Sequence, residues 1–222
     1  MSHLRGCTAF FGHGTWCEIM ANKASEQGSV PAAQRLEGLT QGATSARAKG
    51  PPPVHLWNPP FCGDIDMRIA GDGTWFYQGT PIGRPALVKL FASILRKDPE
   101  RFVLVTPVER VGIRVDDAPF LAVEMAVETG EGGHVLAFRT NVDDWVAAGA
   151  EHALRFEPGA AGGLKPYVHV RGGLWALVKR ALFYDLVTLG SVREVAGTKM
   201  FGVVSGGRFF AMAAADAIEG LA

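Results

Sequence analysis

The residues best suited to chemistry fall into a few short groups. Asp64, Asp66 and Arg68 alternate along one apolar/polar segment, which puts the two carboxylates on one strand face about 7 Å apart by strand rise. Carboxylates so spaced can hold a metal or serve as acid and base. The same pattern also describes a solvated polar face or salt bridges to another part of the chain. Arg84 lies between Gly83 and Pro85 at a helix start, where free N–H groups favour anions and a guanidinium can fork onto a phosphate or carboxylate. Its other reading is a pair with Asp64 or Glu109. His169 and Arg171 precede Gly172-Gly173, and a glycine pair lets a ligand or another backbone approach closely. Arg180 and Tyr184 share a helix face by their i, i+4 spacing. These nine residues form the candidate ligand-binding set: Asp64, Asp66, Arg68, Arg84, Glu109, His169, Arg171, Arg180 and Tyr184. His169 reads equally as a surface strand histidine, and Tyr184 as a core residue with its hydroxyl at the rim.

Other chemistry finds no support. His55, Cys62, His134, His152 and His169 lack metal-ligand spacing, so no metal is expected. No G-x-S-x-G occurs, and Cys62 has no base near it in sequence, so no catalytic residue is assigned and the enzyme reading is the weaker one. Neither a G-x-G-x-x-G nor a Walker-type loop appears, and no cofactor is expected.

The elements that must position the candidate residues follow from periodicity. Asp64–Ile69 alternates as a half-buried strand and forms a hairpin with Thr74–Tyr77 through Ala70-Gly71-Asp72-Gly73. Pro85 opens a helix over Ala86–Lys97 with Leu87, Phe91, Ile94 and Leu95 on one face and basic residues in its last turn. Strands are predicted over Arg101–Thr106, Val108–Val115, Phe120–Thr129 and His134–Thr140, an antiparallel meander after one helix. Beyond it, Leu154–Phe156 and Tyr167–Val170 read as strands and Leu174–Leu189 as a helix. Short strands follow over Val192–Val195, Met200–Val204 and Phe209–Ala213. Strands and helices do not alternate throughout, so the fold class is α+β.

A shift of 90 residues superposes Tyr77 on Tyr167, Gly83 on Gly173 and Ala86-Leu87-Val88-Lys89 on Ala176-Leu177-Val178-Lys179. It also superposes Val105 on Val195, Gly112 on Gly202 and Phe120 on Phe210. The expectation is an internal duplication of strands plus a helix, with a ligand groove between the copies. The organisation is then a first unit over 51–150, a second over 151–222, and an extension over 1–50. The extension is expected to be mostly disordered, apart from a short helix over Ala32–Ala48 that Gly38 and Gly42 weaken. Residues 1–19 read as a gene-calling extension, with Met20 as the physiological start.

Composition bounds the rest. The 222 residues are 48% apolar with a mean hydropathy of +0.13, enough for a real core and too apolar for a disordered chain. Lys+Arg 22 balances Asp+Glu 22, so no DNA partner is expected from net charge. Neither a signal core nor a membrane-length apolar run is present, which leads to the expectation of a cytoplasmic protein without a membrane partner. Three cysteines without C-x-x-C make no disulfide framework.

Several motifs in order carry a family resemblance. They are Trp57-Asn58-Pro59-Pro60-Phe61-Cys62-Gly63-Asp64-Ile65-Asp66-Met67-Arg68-Ile69, Asp72-Gly73-Thr74-Trp75-Phe76-Tyr77, Pro81-Ile82-Gly83-Arg84, Leu104-Val105-Thr106-Pro107-Val108-Glu109 and Tyr167-Val168-His169-Val170-Arg171-Gly172-Gly173-Leu174. Over about Pro52 to Ala215 the chain closely resembles the bacterial domain-of-unknown-function family 1285 (DUF1285). The resemblance implies a duplicated core whose second unit is pleckstrin-homology-like. It also implies a nucleotide-like ligand at the domain interface and a part in signal transduction, with no established activity. The expected partners are therefore a small anionic, nucleotide-like ligand or, in an adaptor reading, a protein.

Overall fold

The computed structural model describes residues 32–47, 52–130, 133–160 and 163–219. Expectations for residues 1–31, including the start at Met20 and the disorder of the extension, lie outside the described residues. Thr40–Ala222 is one compact unit. Helix α1 (Ala32–Arg47) forms over the range that the leucine spacing permits. Gly42 has its reason in packing: a Cβ there would come within 3.0 Å of the Thr106 Cγ2.

The first six-stranded sheet contains β1 (Phe61–Ile69), β2 (Trp75–Tyr77), β3 (Thr80–Pro81), β4 (Leu95–Lys97), β5 (Phe102–Val105) and β6 (Arg110–Val115). Its spatial order is β3-β2-β1-β6-β5-β4. Helix α2 (Pro85–Ser93) connects the two three-stranded halves, and Trp75 stacks on its Phe91 with ring centroids 6.3 Å apart. The second sheet contains β7 (Phe120–Gly130), β8 (Gly133–Thr140), β9 (Trp145–Ala147), β10 (Leu154–Pro158), β11 (Leu164–Arg171) and β12 (Leu174–Val178), in the order β10-β11-β12-β7-β8-β9. The chain ends with α3 (Arg180–Thr188), an antiparallel sheet of β13 (Ser191–Val195), β14 (Thr198–Ser205) and β15 (Arg208–Ala214), and α4 (Ala215–Glu219).

The two large sheets are built alike. Each is a pair of three-stranded antiparallel meanders, joined where the first strand of one runs parallel to the last strand of the other: β1 with β6, and β7 with β12. The duplication is therefore present, but its register is not the 90-residue shift. Phe61 corresponds to Phe120 and Arg110 to Leu174 as strand starts, shifts of 59 and 64 residues. The longer shift sets Ala86–Val88 of helix α2 on Ala176–Val178 of strand β12, two elements of different kind sharing a short apolar string. The sheets change over between Val115 and Phe120, so a division at 150/151 cuts through the second sheet.

Two helix boundaries also move, for one reason. The helix expected over Ala86–Lys97 ends at Ser93, and Leu95–Lys97 is strand β4 paired with β5, so Arg96 and Lys97 do not cap a helix end. The helix expected over Leu174–Leu189 begins only at Arg180. Leu174, Ala176 and Val178 are buried while Trp175 and Leu177 are half-buried, the period of two that a central strand requires. Filling the centre of the second sheet outweighs the helical preference of Leu and Ala there.

Candidate functional site

Two large cavities border the repeats. One, of about 770 Å³, opens beside the start of α3. Its apolar wall comes from Leu121, Leu164, Pro166, Leu177 and Phe183, and its polar rim from Lys165, Lys179, Arg180 and Tyr184. Gly71 and Asp72, in the β1–β2 turn of the first repeat, complete it. Lys179 stands at the N-cap of α3 because β12 ends there, its N–H donating to the Ala122 carbonyl at 3.2 Å. The next residues turn directly into the helix, with the Phe183 N–H bonded to the Lys179 carbonyl. Arg180 Nε donates to the Tyr184 hydroxyl at 2.8 Å, as the i, i+4 spacing anticipates. Neither Lys179 nor Arg180 has a carboxylate within ion-pair distance among the described residues. Lys165, by contrast, pairs with Asp117 at 2.7 Å. The Asp72 carboxylate accepts the Thr74 N–H at 2.9 Å, and that hydrogen bond holds it below its ordinary range.

The second cavity, of about 640 Å³, lies between α2 and β4 of the first repeat and the Val142–Asp144 and Arg171–Leu174 segments of the second. Its cations are already engaged. Arg171 donates to Asp144 Oδ2 at 2.5 Å and to the Ala92 carbonyl at 2.9 Å, and its guanidinium lies 5.2 Å from the Phe120 ring centroid. It thus ties the C-terminal end of α2 to the second repeat. Lys89 pairs with Asp143, which also accepts from Arg139 at 2.8 Å. The hydrogen bond from Lys89, then the one from Arg139, holds the Asp143 carboxyl down. Arg96 spends its donors on Asp98 and on the Val54 and Trp57 carbonyls.

The structure does not gather the nine candidate residues into one place. Arg180 and Tyr184 line the first cavity and Arg171 the second; the other six line neither. Asp64 and Asp66 are exposed, Asp64 lying 3.6 Å from Arg101, and Arg68 pairs with Asp116 at 2.6 Å. The polar-face reading therefore describes this strand. Arg84 is exposed at the N-cap of α2 and pairs with neither Asp64 nor Glu109. Glu109 closes a turn, its carbonyl accepting the Thr106 N–H at 2.9 Å.

His169 is built into the backbone. Its Nδ1 donates to the Glu151 carbonyl at 2.9 Å and its Nε2 accepts the Gly173 N–H at 3.3 Å, a pair of bonds that assigns the Nδ1–H tautomer. Gly172 and Gly173, with φ of 50° and 76°, are the two central residues of the β11–β12 hairpin. Both need left-handed backbone, so the turn by itself requires the glycine pair. Among the described residues no cluster of His, Cys, Asp and Glu could hold a metal.

Sequence reasoning passed over Lys165, Lys179 and Asp72 as site residues. The adjacent basic pair Lys179-Arg180 was the available signal. Asp117 accepts from Lys165 and from the Tyr167 hydroxyl, each at 2.7 Å, and so bridges the end of the first repeat to β11.

Comparison with known proteins is consistent with this architecture. The model described as "Domain of unknown function (DUF1285), N-terminal domain" matches residues 52–118. The one described as "Protein of unknown function (DUF1285), C-terminal domain" matches residues 119–212, so the two meet where the sheets change over. The chain is similar to the crystal structure of a DUF1285 family protein from Silicibacter pomeroyi DSS-3, with 54% identity and a TM-score of 0.73. That match covers 82% of this chain and 97% of the other. A DUF1285 family protein from Shewanella baltica OS155 matches at 28% identity and a TM-score of 0.45, covering 56% of this chain and 91% of that one. No curated protein matches.

Proposed function

This chain belongs to the DUF1285 family, and from that premise we propose that it binds a small anionic, nucleotide-like ligand in the cavity beside α3, in a cytoplasmic sensing role. The observation that carries this reading is the pair Lys179 and Arg180, which border an apolar cavity and have no carboxylate partner among the described residues. Both side chains are exposed, and two cations side by side at a cavity mouth, with no carboxylate among the described residues to pair them, attract a phosphate or carboxylate. The positive end of α3 adds to the same field. The volume of about 770 Å³ suits a ligand of nucleotide size. Phe183 and Pro166 offer apolar surface for its body, and the Asp72 carboxylate, also in the lining, offers an acceptor for hydroxyls. Arg171 and Arg84 are the weaker anion ligands, the first because Asp144 and the Ala92 carbonyl engage it, the second because it borders neither of these two cavities. The enzyme reading through Asp64 and Asp66 lacks comparable support, since both are exposed and border neither cavity.

The test is thermal melting against a panel of nucleotides, other phosphorylated metabolites and small carboxylates, with Lys179→Ala, Arg180→Ala and Arg84→Ala variants. A ligand at about a hundred times its Kd adds about 2.7 kcal/mol, or roughly 5–10 °C in a chain of this length. The shift should disappear in Lys179→Ala and Arg180→Ala and persist in Arg84→Ala. Loss of the shift only in Arg84→Ala would place the ligand elsewhere, and no shift across the panel would overturn the reading.

A further inference from the structure

Five of the exposed large apolar residues fall within one short stretch: Tyr184, Val187, Leu189, Val192 and Val195. They run from α3 into β13, whose every residue is exposed. Among the described residues β13 pairs only with β14, so its other edge presents backbone N–H and C=O groups without a strand partner there. An apolar strand with an open edge is a template for another strand. From the self-complementarity of this segment, we infer that β13 and the C-terminal end of α3 form a two-fold contact with a second copy of the chain, β13 adding antiparallel to β13.

The residues select both the partner and the register. In an antiparallel two-fold pair, directly opposed side chains share a face, so the axis must pass beside one residue paired with itself. An axis at Arg193 sets guanidinium against guanidinium, and one at Glu194 sets carboxylate against carboxylate; like charges directly opposed are destabilising. An axis at Ser191 or Val195 pairs only the strand's ends. The axis at Val192 sets valine on valine, Arg193 opposite Ser191, and brings Leu189 of each copy level with Val195 of the other. Each of the exposed apolar residues at 189, 192 and 195 thereby gains an apolar neighbour, and no charge meets its like directly.

Sedimentation equilibrium of the full chain tests the contact. We expect a monomer–dimer equilibrium, abolished in Val192→Lys, which opposes two ammonium groups at the axis. It should be unchanged in Val108→Lys, at an exposed valine of the first repeat. Val192 is 54% exposed, so the lysine needs no burial, and circular dichroism checks the fold. A second arm reads the register independently in a chain with Cys7, Cys17 and Cys62 replaced by serine. Val192→Cys should oxidise to a disulfide-linked dimer, because opposed Cα atoms fall within the roughly 4.4–6.8 Å a disulfide spans. Arg193→Cys and Glu194→Cys, offset along the strands, should not. A chain that stays monomeric up to about 1 mM, the weak end of the affinity scale, would overturn the inference. So would a dimer that tolerates Val192→Lys, or cross-linking through position 193 or 194 in place of 192.

Discussion

Tyr167→Phe probes the tie between the repeats with almost no change in shape. The Tyr167 ring is buried and its hydroxyl donates to Asp117 at 2.7 Å, while Lys165 donates to the other carboxylate oxygen at the same distance. Burial pushes the Asp117 carboxyl up, but the hydrogen bonds from Lys165 and Tyr167 outweigh it and hold the carboxyl below its ordinary value. Removing the hydroxyl leaves the apolar burial intact and deletes one hydrogen bond to a charged group, a loss of about 2 kcal/mol. In a chain of this length that lowers Tm by about 4–8 °C at pH 7. The loss should also depend on pH. A carboxyl depressed in the folded state stabilises above its unfolded value, here 3.8, and that stability is lost as pH falls through the folded value. As pH falls from 3.8 through the folded value, the difference between wild type and Tyr167→Phe should therefore narrow toward about 1 kcal/mol, the worth of a neutral hydrogen bond. On the alkaline side, burial and then the bond to Asp117 push the Tyr167 phenol up from 10.0. Its contribution is complete below pH 10 and falls as pH rises through the folded value, a decline that the phenylalanine variant lacks. Urea unfolding of both proteins from pH 2 to pH 11 reads the acid narrowing and the onset of the alkaline decline. A loss under about 0.5 kcal/mol at pH 7, well short of a hydrogen bond to a charged group, would refute the reasoning. An equal loss at both ends of the acid range would refute the part played by charge.

Three other perturbations have sharp outcomes. Gly202→Ala should cost about 3 kcal/mol or more in urea unfolding, because its Cβ would sit 2.2 Å from the Phe210 carbonyl oxygen at the β14–β15 bulge, where backbone cannot yield cheaply. Ser205→Ala should cost about 2 kcal/mol: the buried hydroxyl accepts the Leu136 N–H at 2.8 Å and donates to the Ala148 carbonyl at 2.7 Å, and both groups would lose their partner. Ala196→Asn should stabilise by about 0.5–1 kcal/mol, read as a higher Tm, because Ala196 stands at φ 51° before Gly197 in a two-residue hairpin where Asn-Gly is the favoured pair.

Much of the fold is written locally. The alternation in β1, the Pro85 start of α2 and the short apolar runs of β13–β15 each follow from periodicity and turn residues within a few positions, and the structure places elements where those signals lie. The Arg180–Tyr184 hydrogen bond was legible for the same reason, since helix geometry brings i and i+4 together without help from the rest of the chain. Lys179-Arg180 was visible as a basic pair, but not that no carboxylate among the described residues would pair with it. That depends on which carboxylates the fold brings near.

What the tertiary structure decided is everything that turns on distant neighbours. Leu174–Val178 becomes a strand because β7 and β11 flank it, although its composition suits a helix equally well. Arg171, read as a ligand-binding cation, is consumed by Asp144 and the Ala92 carbonyl, the latter 79 residues away in sequence. The true repeat lies at a shift of about 60 residues because the parallel joins β1–β6 and β7–β12 define it, and strand pairing leaves no mark in residue identity. Residue types and spacing determine which segments can be strand or helix and which side chains can carry charge. Which of those charges stay free for a ligand is settled only when long-range pairing has neutralised the rest, because an ion pair depends on proximity in space and not on order along the chain.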